Sequence, residues 1–300
     1  MRMKLGLGLT VLFLILPSGT LLCAQDPLGM ILMVSGDTQL VRGQPTAARL
    51  GDLIQEGDLL EVKSGNTSFV FCPERRRYVL SAGSRVQFSA GGAVFSGPAP
   101  TVTPVGPCSL PKVRLGGESL ERVGGLRPRG KPPIAVYLGG TISSRTPVFA
   151  WKSVEASDRY RVQVMDESGR RLWETATGEG AVAYAGPPLA PGWYTWTVQA
   201  ERAGEVLAEQ STGFEVRPAD EQPTQAADPG AEDTGDRLLE AFRLENLGYP
   251  AEAAALLRDL LEQGPDDTRL RRRMAWLYWK AGLLPAFQEE LQRLPQGSEP

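Results

Sequence analysis

The sequence predicts a mainly β protein with an α-helical tail. Three observations carry that expectation. Short apolar runs, most of them closed by Gly, Asp, Ser or Pro, fill residues 30 to 95. A second set, in which apolar and polar residues alternate, fills 133 to 217. Beyond 234 the apolar period changes from about 2 residues to about 3.6. The 34 Gly and 24 Pro in 300 residues fit a turn-rich chain, and an apolar share of 42% is enough to fill packed cores.

Residues 1–24 are expected to be an export signal. Arg2 and Lys4 form its basic start, Leu5 to Leu16 its apolar core, and Pro17-Ser18-Gly19 a break. Cleavage is expected after Ala24. Two alternatives stay open. Cys23 could carry a lipid, although Leu22 stands where bacterial lipoprotein signals place a small residue. The uncharged stretch Leu5 to Ala24 could also remain as an anchor. The expected location is exported, periplasmic or outer-envelope. Losing Arg2 and Lys4 leaves 30 basic against 35 acidic residues, a net charge of −5. That balance argues against nucleic acid as a partner. The sequence has no His, which excludes His-based triads and His metal sites.

The first β unit is placed at 28–96. Its runs are "MILMV", "DTQLVRG", "DLLEV", "TSFVFC", "RYVL" and "SRVQF", and none sustains a helical period. Gly36, the pair Gly57-Asp58 before Leu60 and Val62, and Gly83-Ser84 before Val86 make this stretch resemble the FecR-type periplasmic domain. The resemblance covers about 60 residues and implies an extracytoplasmic all-β module. Gly57, Asp58, Gly83 and Ser84 are expected to be structural turn residues. One departure stands out. The family places an Asp-Gly turn where this chain has Cys72-Pro73-Glu74-Arg75-Arg76-Arg77. The family's regulators also carry a cytoplasmic portion that engages a sigma factor. Only Met1 to Lys4 precede the apolar segment here, so that role is not expected to carry over.

Residues 97–132, rich in Pro and Gly-Gly pairs, are expected to be a connector without regular structure. Its basic residues Arg127, Arg129 and Lys131 are expected to be solvated. The second β unit, 133–217, contains "PVFAWKSV", "RYRVQVMD", "RLWETAT", "WYTWTVQAE" and "GFEVR". Their spacing suits a seven-strand sandwich. The motifs around Trp151, Tyr160 and Pro191-Gly192-Trp193-Tyr194 resemble fibronectin type III and immunoglobulin-like domains. The resemblance places Trp151 in the core and makes Tyr194 a corner tyrosine. Strand alternation puts Tyr194, Trp196 and Val198 on one face, and leaves Trp193 without an aromatic companion on the other.

An acidic, Pro-containing linker is expected at 218–234; it lacks the ligand spacing of a calcium loop. At 235–297 four amphipathic helices are expected, "RLLEAFRLENLG", "PAEAAALLRDLLEQG", "TRLRRRMAWLYWKAG" and "LPAFQEELQRL". Shifting the first pair by about 34 residues, a tetratricopeptide period, superposes it on the second. Ala241 falls on Ala275, Gly248 on Gly282, Ala253 on Phe287 and Leu257 on Leu291. Pro265 sits where that family's repeat-ending proline sits. The resemblance implies short TPR-like hairpins that bind protein segments. Two repeats are fewer than the usual three, so the tail is expected to dock on a neighbour or on a partner chain.

Cys72 and Cys108 are the two cysteines beyond the signal, and an exported pair is expected to form a disulfide; free thiols are the alternative. Arg75, Arg76 and Arg77 are a possible anion contact, solvated by default. Arg271 to Arg273 spread around a helix and are expected to be a solvated face. No phosphate loop, zinc spacing, nucleophile elbow or acid dyad appears. The expected protein is therefore non-enzymatic, with no cofactor, metal or small-molecule substrate. It would act in interaction or scaffolding, with a protein partner on the helical tail. The alternative is a cell-wall glycan-binding or sensory module.

Overall fold

The structure, a computed structural model, describes residues 26–106, 108, 110, 133–217, 234–264 and 266–295. The expected signal at 1–24, the basic cluster at 127–131, the linker up to 233 and Pro265 lie outside the described residues.

The first β unit has ten strands: β1 Gly29–Ser35, β2 Thr38–Arg42, β3 Gln44–Ala47, β4 Leu53–Ile54, β5 Leu59–Val62, β6 Asn66–Phe71, β7 Arg76–Ser81, β8 Arg85–Ser89, β9 Gly92–Ser96 and β10 Thr101–Pro104. They form two antiparallel sheets, ordered β10-β7-β6-β1-β4 and β3-β2-β5-β8-β9. Ile31, Phe69, Phe71, Tyr78 and Leu80 face the second sheet and share a core with Leu60, Val86 and Phe88. Their sequence neighbours Met30, Leu32 and Val70 point the other way, into a different core. The run "MILMV" is continuously apolar because both faces of β1 are covered. The expectation of a structureless stretch at 97–132 is corrected at 101–104. β10 pairs with β7 from Thr101↔Val79 to Pro104↔Arg76. Its residues are all exposed, so no burial pattern marks the strand.

The second unit is a sandwich of β11 Gly140–Ile142, β12 Val148–Ala150, β13 Arg159–Asp166, β14 Arg171–Thr177, β15 Ala181–Ala183, β16 Gly192–Arg202 and β17 Glu205–Val216. One sheet runs β11-β17-β16-β13-β14, with β11 parallel to β17; β12 and β15 form the other. This is an immunoglobulin-like strand order.

Four helices follow: α1 Thr234–Asn246, α2 Pro250–Gln263, α3 Thr268–Lys280 and α4 Leu284–Arg293. Ala241, Ala253, Ala254 and Ala275 are fully buried between them, where small side chains let helix backbones approach. Leu238, Phe242, Leu257, Met274 and Phe287 belong to the same core as Met30 and Leu32 of β1 and Trp196 of the sandwich. The helical tail therefore docks on both β units, as two short repeats require.

Polar contacts fix this docking. Arg77 of β7 donates to Asp236 of α1 at 3.2 and 3.1 Å. Arg269 of α3 donates to Asp52 at 2.6 Å and to the Leu50 carbonyl at 2.9 Å. The N–H groups of Ser143 and Ser144 donate to Glu252 of α2 at 2.9 and 3.0 Å.

Helix α1 approaches β1 most closely at Gly235. A Cβ there would stand 2.5 Å from Leu32 Cβ and 2.8 Å from the Leu32 carbonyl oxygen. In an open helix Gly→Ala stabilises by about 1 kcal/mol. At this position Gly235→Ala is expected to destabilise, lowering the urea unfolding midpoint. An unchanged or raised midpoint would show that α1 does not rest on β1 as described.

Candidate protein-docking site

Asp267 starts α3, accepting from the N–H groups of Arg269 at 2.8 Å and Leu270 at 3.4 Å. Leu270, Met274, Leu277 and Tyr278 then turn inward and are buried. Trp276 and Trp279 fall outside that stripe. Their rings stack with centroids 4.7 Å apart and planes at 21°, and Trp279 is 44% exposed. They lie three residues apart, one turn along the same helix face. Arg272 and Lys280 stand one turn to either side of Trp276.

Ion pairs flanking this face hold α3 rigidly. Arg273 is buried and donates to Glu245 of α1 at 2.6 Å, while Lys280 reaches the other oxygen of that carboxylate at 3.3 Å. Arg271 bridges Asp266 at 2.9 Å and the buried Glu290 of α4 at 2.6 Å. The expectation of a solvated Arg271–Arg273 face is thus corrected: two of the three arginines bind the helices together. The aromatic pair was missed by sequence reasoning. Its signal was available, as two Trp off the apolar stripe of an amphipathic helix.

An apolar groove of 610 Å³ runs between the sandwich and the first helix pair. Val148 and Leu138 line one side, and Leu244, Leu247 and Leu256 the other. Val148 and Leu247 are large apolar residues left exposed there.

The residues singled out from sequence are dispersed. Cys72 and Cys108 form a disulfide, with Cα atoms 5.4 Å apart. The bond pins the chain after β10 to the short 3₁₀ turn Cys72–Glu74 that links β6 and β7. Arg75 ends that turn with φ 53°, and Arg75 and Arg76 are exposed. Arg77 departs from the expected solvated triplet. Alternation along β7 turns it to the sheet face that α1 covers, where it meets Asp236 and Ser68 Oγ. The three arginines therefore share no surface.

Gly57 and Gly83 occupy turns at φ +86° and +87°, where L side chains are strained. Asp58 is more than a turn residue: it is buried and accepts from Arg42 Nε and the Gln55 N–H, each at 2.8 Å. The Ser84 hydroxyl is buried without a hydrogen-bond partner among the described residues. Trp151, Tyr194 and Trp196 all lie in the sandwich core. The Tyr194 hydroxyl donates to the Ala190 carbonyl at 2.8 Å, the geometry of a tyrosine corner. Trp196 Nε1 donates to the Leu138 carbonyl at 3.0 Å. Trp193 is 55% exposed on the other face. Among the described residues no group of three or more acidic or Cys side chains is placed to hold a metal.

With this geometry in view, comparison with known proteins bears on the tail. Residues 247–297 match the tetratricopeptide repeat family. The matched stretch begins just after α1 and spans α2 through α4, including the Trp276–Trp279 pair. No curated protein sequence matches the chain. Solved structures with some similarity include CopC from Methylosinus trichosporium OB3b, 17% identical, with 28% of this chain and 89% of that one covered, at a TM-score of 0.23. The fn3 domain of human collagen alpha-1(XX) chain is 20% identical, with 35% and 100% covered, at 0.26. An FMN-binding beta-glucuronidase from Facaelibacterium prausnitzii L2-6 is 11% identical, with 85% and 57% covered, at 0.28. Such scores lie well below that of a shared fold, and the sandwich assignment rests on strand order alone.

Two predictions follow from the supports of the site. Burial works to raise the Asp267 pKa, but the hydrogen bonds and charge of Arg269 outweigh it and hold the carboxyl below 3.8. A lowered folded pKa means stability that is present above 3.8 and lost as pH falls through the folded value. Asp267→Ala is expected to cost about 1 kcal/mol at neutral pH and to flatten this acid dependence in denaturation curves. The disulfide closes a loop with a sequence separation of 36. Replacing both Cys72 and Cys108 by Ser is expected to lower the unfolding free energy by about 4 kcal/mol; a change near zero would mean the loop is held without the bond.

Proposed function

We propose that this chain is a non-enzymatic protein of the bacterial envelope that docks a protein partner on helix α3. The two β units hold that helix rigidly, and the Trp276–Trp279 pair supplies the contact. The single observation carrying this is the stacked pair of half-buried Trp276 and exposed Trp279 on a repeat helix whose other side is locked into the core. Rigid aromatics at a surface lose little side-chain entropy on binding and dominate interface energies.

An extracytoplasmic location is supported by the signal anatomy of residues 1–24 and by the disulfide, since such bonds persist in oxidising compartments. The FecR-like motifs of the first unit favour the periplasm. In this reading the FecR-like unit is a structural support for the helical tail.

Crosslinking pulldown from envelope extracts tests the proposal. The wild-type chain is expected to capture a protein partner, and the Trp276→Ala/Trp279→Ala variant to lose it. The variant's unfolding midpoint should change little, because both rings lie outside the apolar stripe. Retention on peptidoglycan that survives loss of both tryptophans, with no protein captured, would replace this proposal by the glycan-binding alternative.

A further inference from the structure

A second hollow, of 370 Å³, lies between the sandwich and helices α2, α3 and α4. Tyr137 and Trp151 line its sandwich side; Arg258, Asp259 and Glu262 line the α2 side. These three α2 positions are spaced to share one helix face. Arg271 and Arg293 also reach the hollow, but both are paired. Arg271 pairs with Asp266 and Glu290, and Arg293 with Glu289 and Glu290.

Arg258 is different. Its guanidinium carbon lies 4.6 Å from the centroid of the Tyr137 ring. Among the described residues no carboxylate forms an ion pair with it, not even Glu262 one turn later on the same helix. Its Nη1 is sealed from solvent without a hydrogen-bond partner of good geometry, as is the hydroxyl of Tyr278 behind it. The Tyr278 hydroxyl is the acceptor nearest to it, and a guanidinium so poorly matched is costly unless its remaining nitrogens, on the side of the hollow, find an acceptor. Asp259 and Glu262 likewise make no ion pair among the described residues. One face of α2 thus presents unmatched charges of both signs.

The polar hollow adjoins the apolar groove described above. Tyr137, Ala150, Arg258 and Asp259 line both. A molecule seated at this junction would meet a guanidinium, two carboxylates and a leucine-lined trough. Both volumes fall in the range of small-molecule sites. A zwitterion satisfies each of these features, whereas a simple anion or a simple cation leaves one sign unmatched.

We propose that this junction binds a free α-amino acid with a large apolar side chain. Its carboxylate would sit on Arg258, its ammonium against Asp259 and Glu262, and its side chain in the groove between Leu138, Leu244 and Leu256. The site is separate from the tryptophan pair on α3, so the two proposals stand or fall independently.

Isothermal titration calorimetry on the purified chain provides the test. The probes are L-leucine and L-phenylalanine, with glycine as the form without a side chain. 4-Methylpentanoate and 3-phenylpropionate are the forms without the ammonium. 3-Methylbutylamine and phenethylamine are the forms without the carboxylate. Leucine or phenylalanine is expected to bind at least about tenfold more tightly than its matched single-charge forms, the difference one charge-assisted contact makes. Arg258→Met should abolish binding, and Asp259→Asn should weaken it with the fold intact. Trp276→Ala/Trp279→Ala should leave it unchanged. No heat with any probe, equal affinity for an ammonium-free form, or unaltered binding in Asp259→Asn and Arg258→Met would each overturn the proposal. If Arg258→Met does not fold, the analogue series and Asp259→Asn decide alone.

Discussion

Everything in this molecule depends on β1 being buried on both faces. Ile31 joins the core of the first β unit, while Met30 and Leu32 belong to a core shared with the sandwich and the helices. One strand is thus the common wall of two cores. β6 repeats the device, with Phe69 and Phe71 on one side and Val70 on the other. A surface strand of an antiparallel sheet would show polar residues at alternate positions. The absence of such alternation in "MILMV" encodes the layer that packs on it.

That shared wall explains how so short a repeat array is ordered. Two helical hairpins lack the neighbours that normally bury the ends of a solenoid. Here α1 rests on β1 through Gly235 and Leu32, α2 is tied to the sandwich through Glu252, and α3 is tied to the loop before β4 through Arg269. The β units stand in for the missing repeats. Ion pairs set the orientation, and apolar burial provides the greater part of the energy.

Much of this architecture was legible. Alternation in "RYRVQVMD" and "WYTWTVQAE" revealed β13 and β16, and the change of period revealed all four helices. The disulfide partners were legible because, of three cysteines, only Cys72 and Cys108 lie beyond the expected signal. Other features were not, for identifiable reasons. β10 has no buried side chain, so only its backbone pairing to β7 defines it. The full length of β17 was hidden because, before Phe214, it buries only Ala208, so no apolar alternation marks its first part. Arg77 and Asp236 lie in different units, and nothing local marks Arg77 as the member of its triplet that leaves the solvent. The same holds for Arg273 and Glu245. The unmatched Arg258 of α2 looks from sequence like any surface arginine of an amphipathic helix.

The double burial of β1 also sets an order of events. The strand is made near the start of the chain, yet the α1 residues that cover its outer face follow about 200 residues later, a separation that slows folding. Until then Met30, Leu32 and Val70 offer an apolar sheet face to any passing chain, the kind of surface that aggregates or recruits chaperones. A C-terminally truncated chain would keep that face open permanently. The helical tail is therefore also a lid on the protein's own adhesive surface, and its loss would be felt first as insolubility.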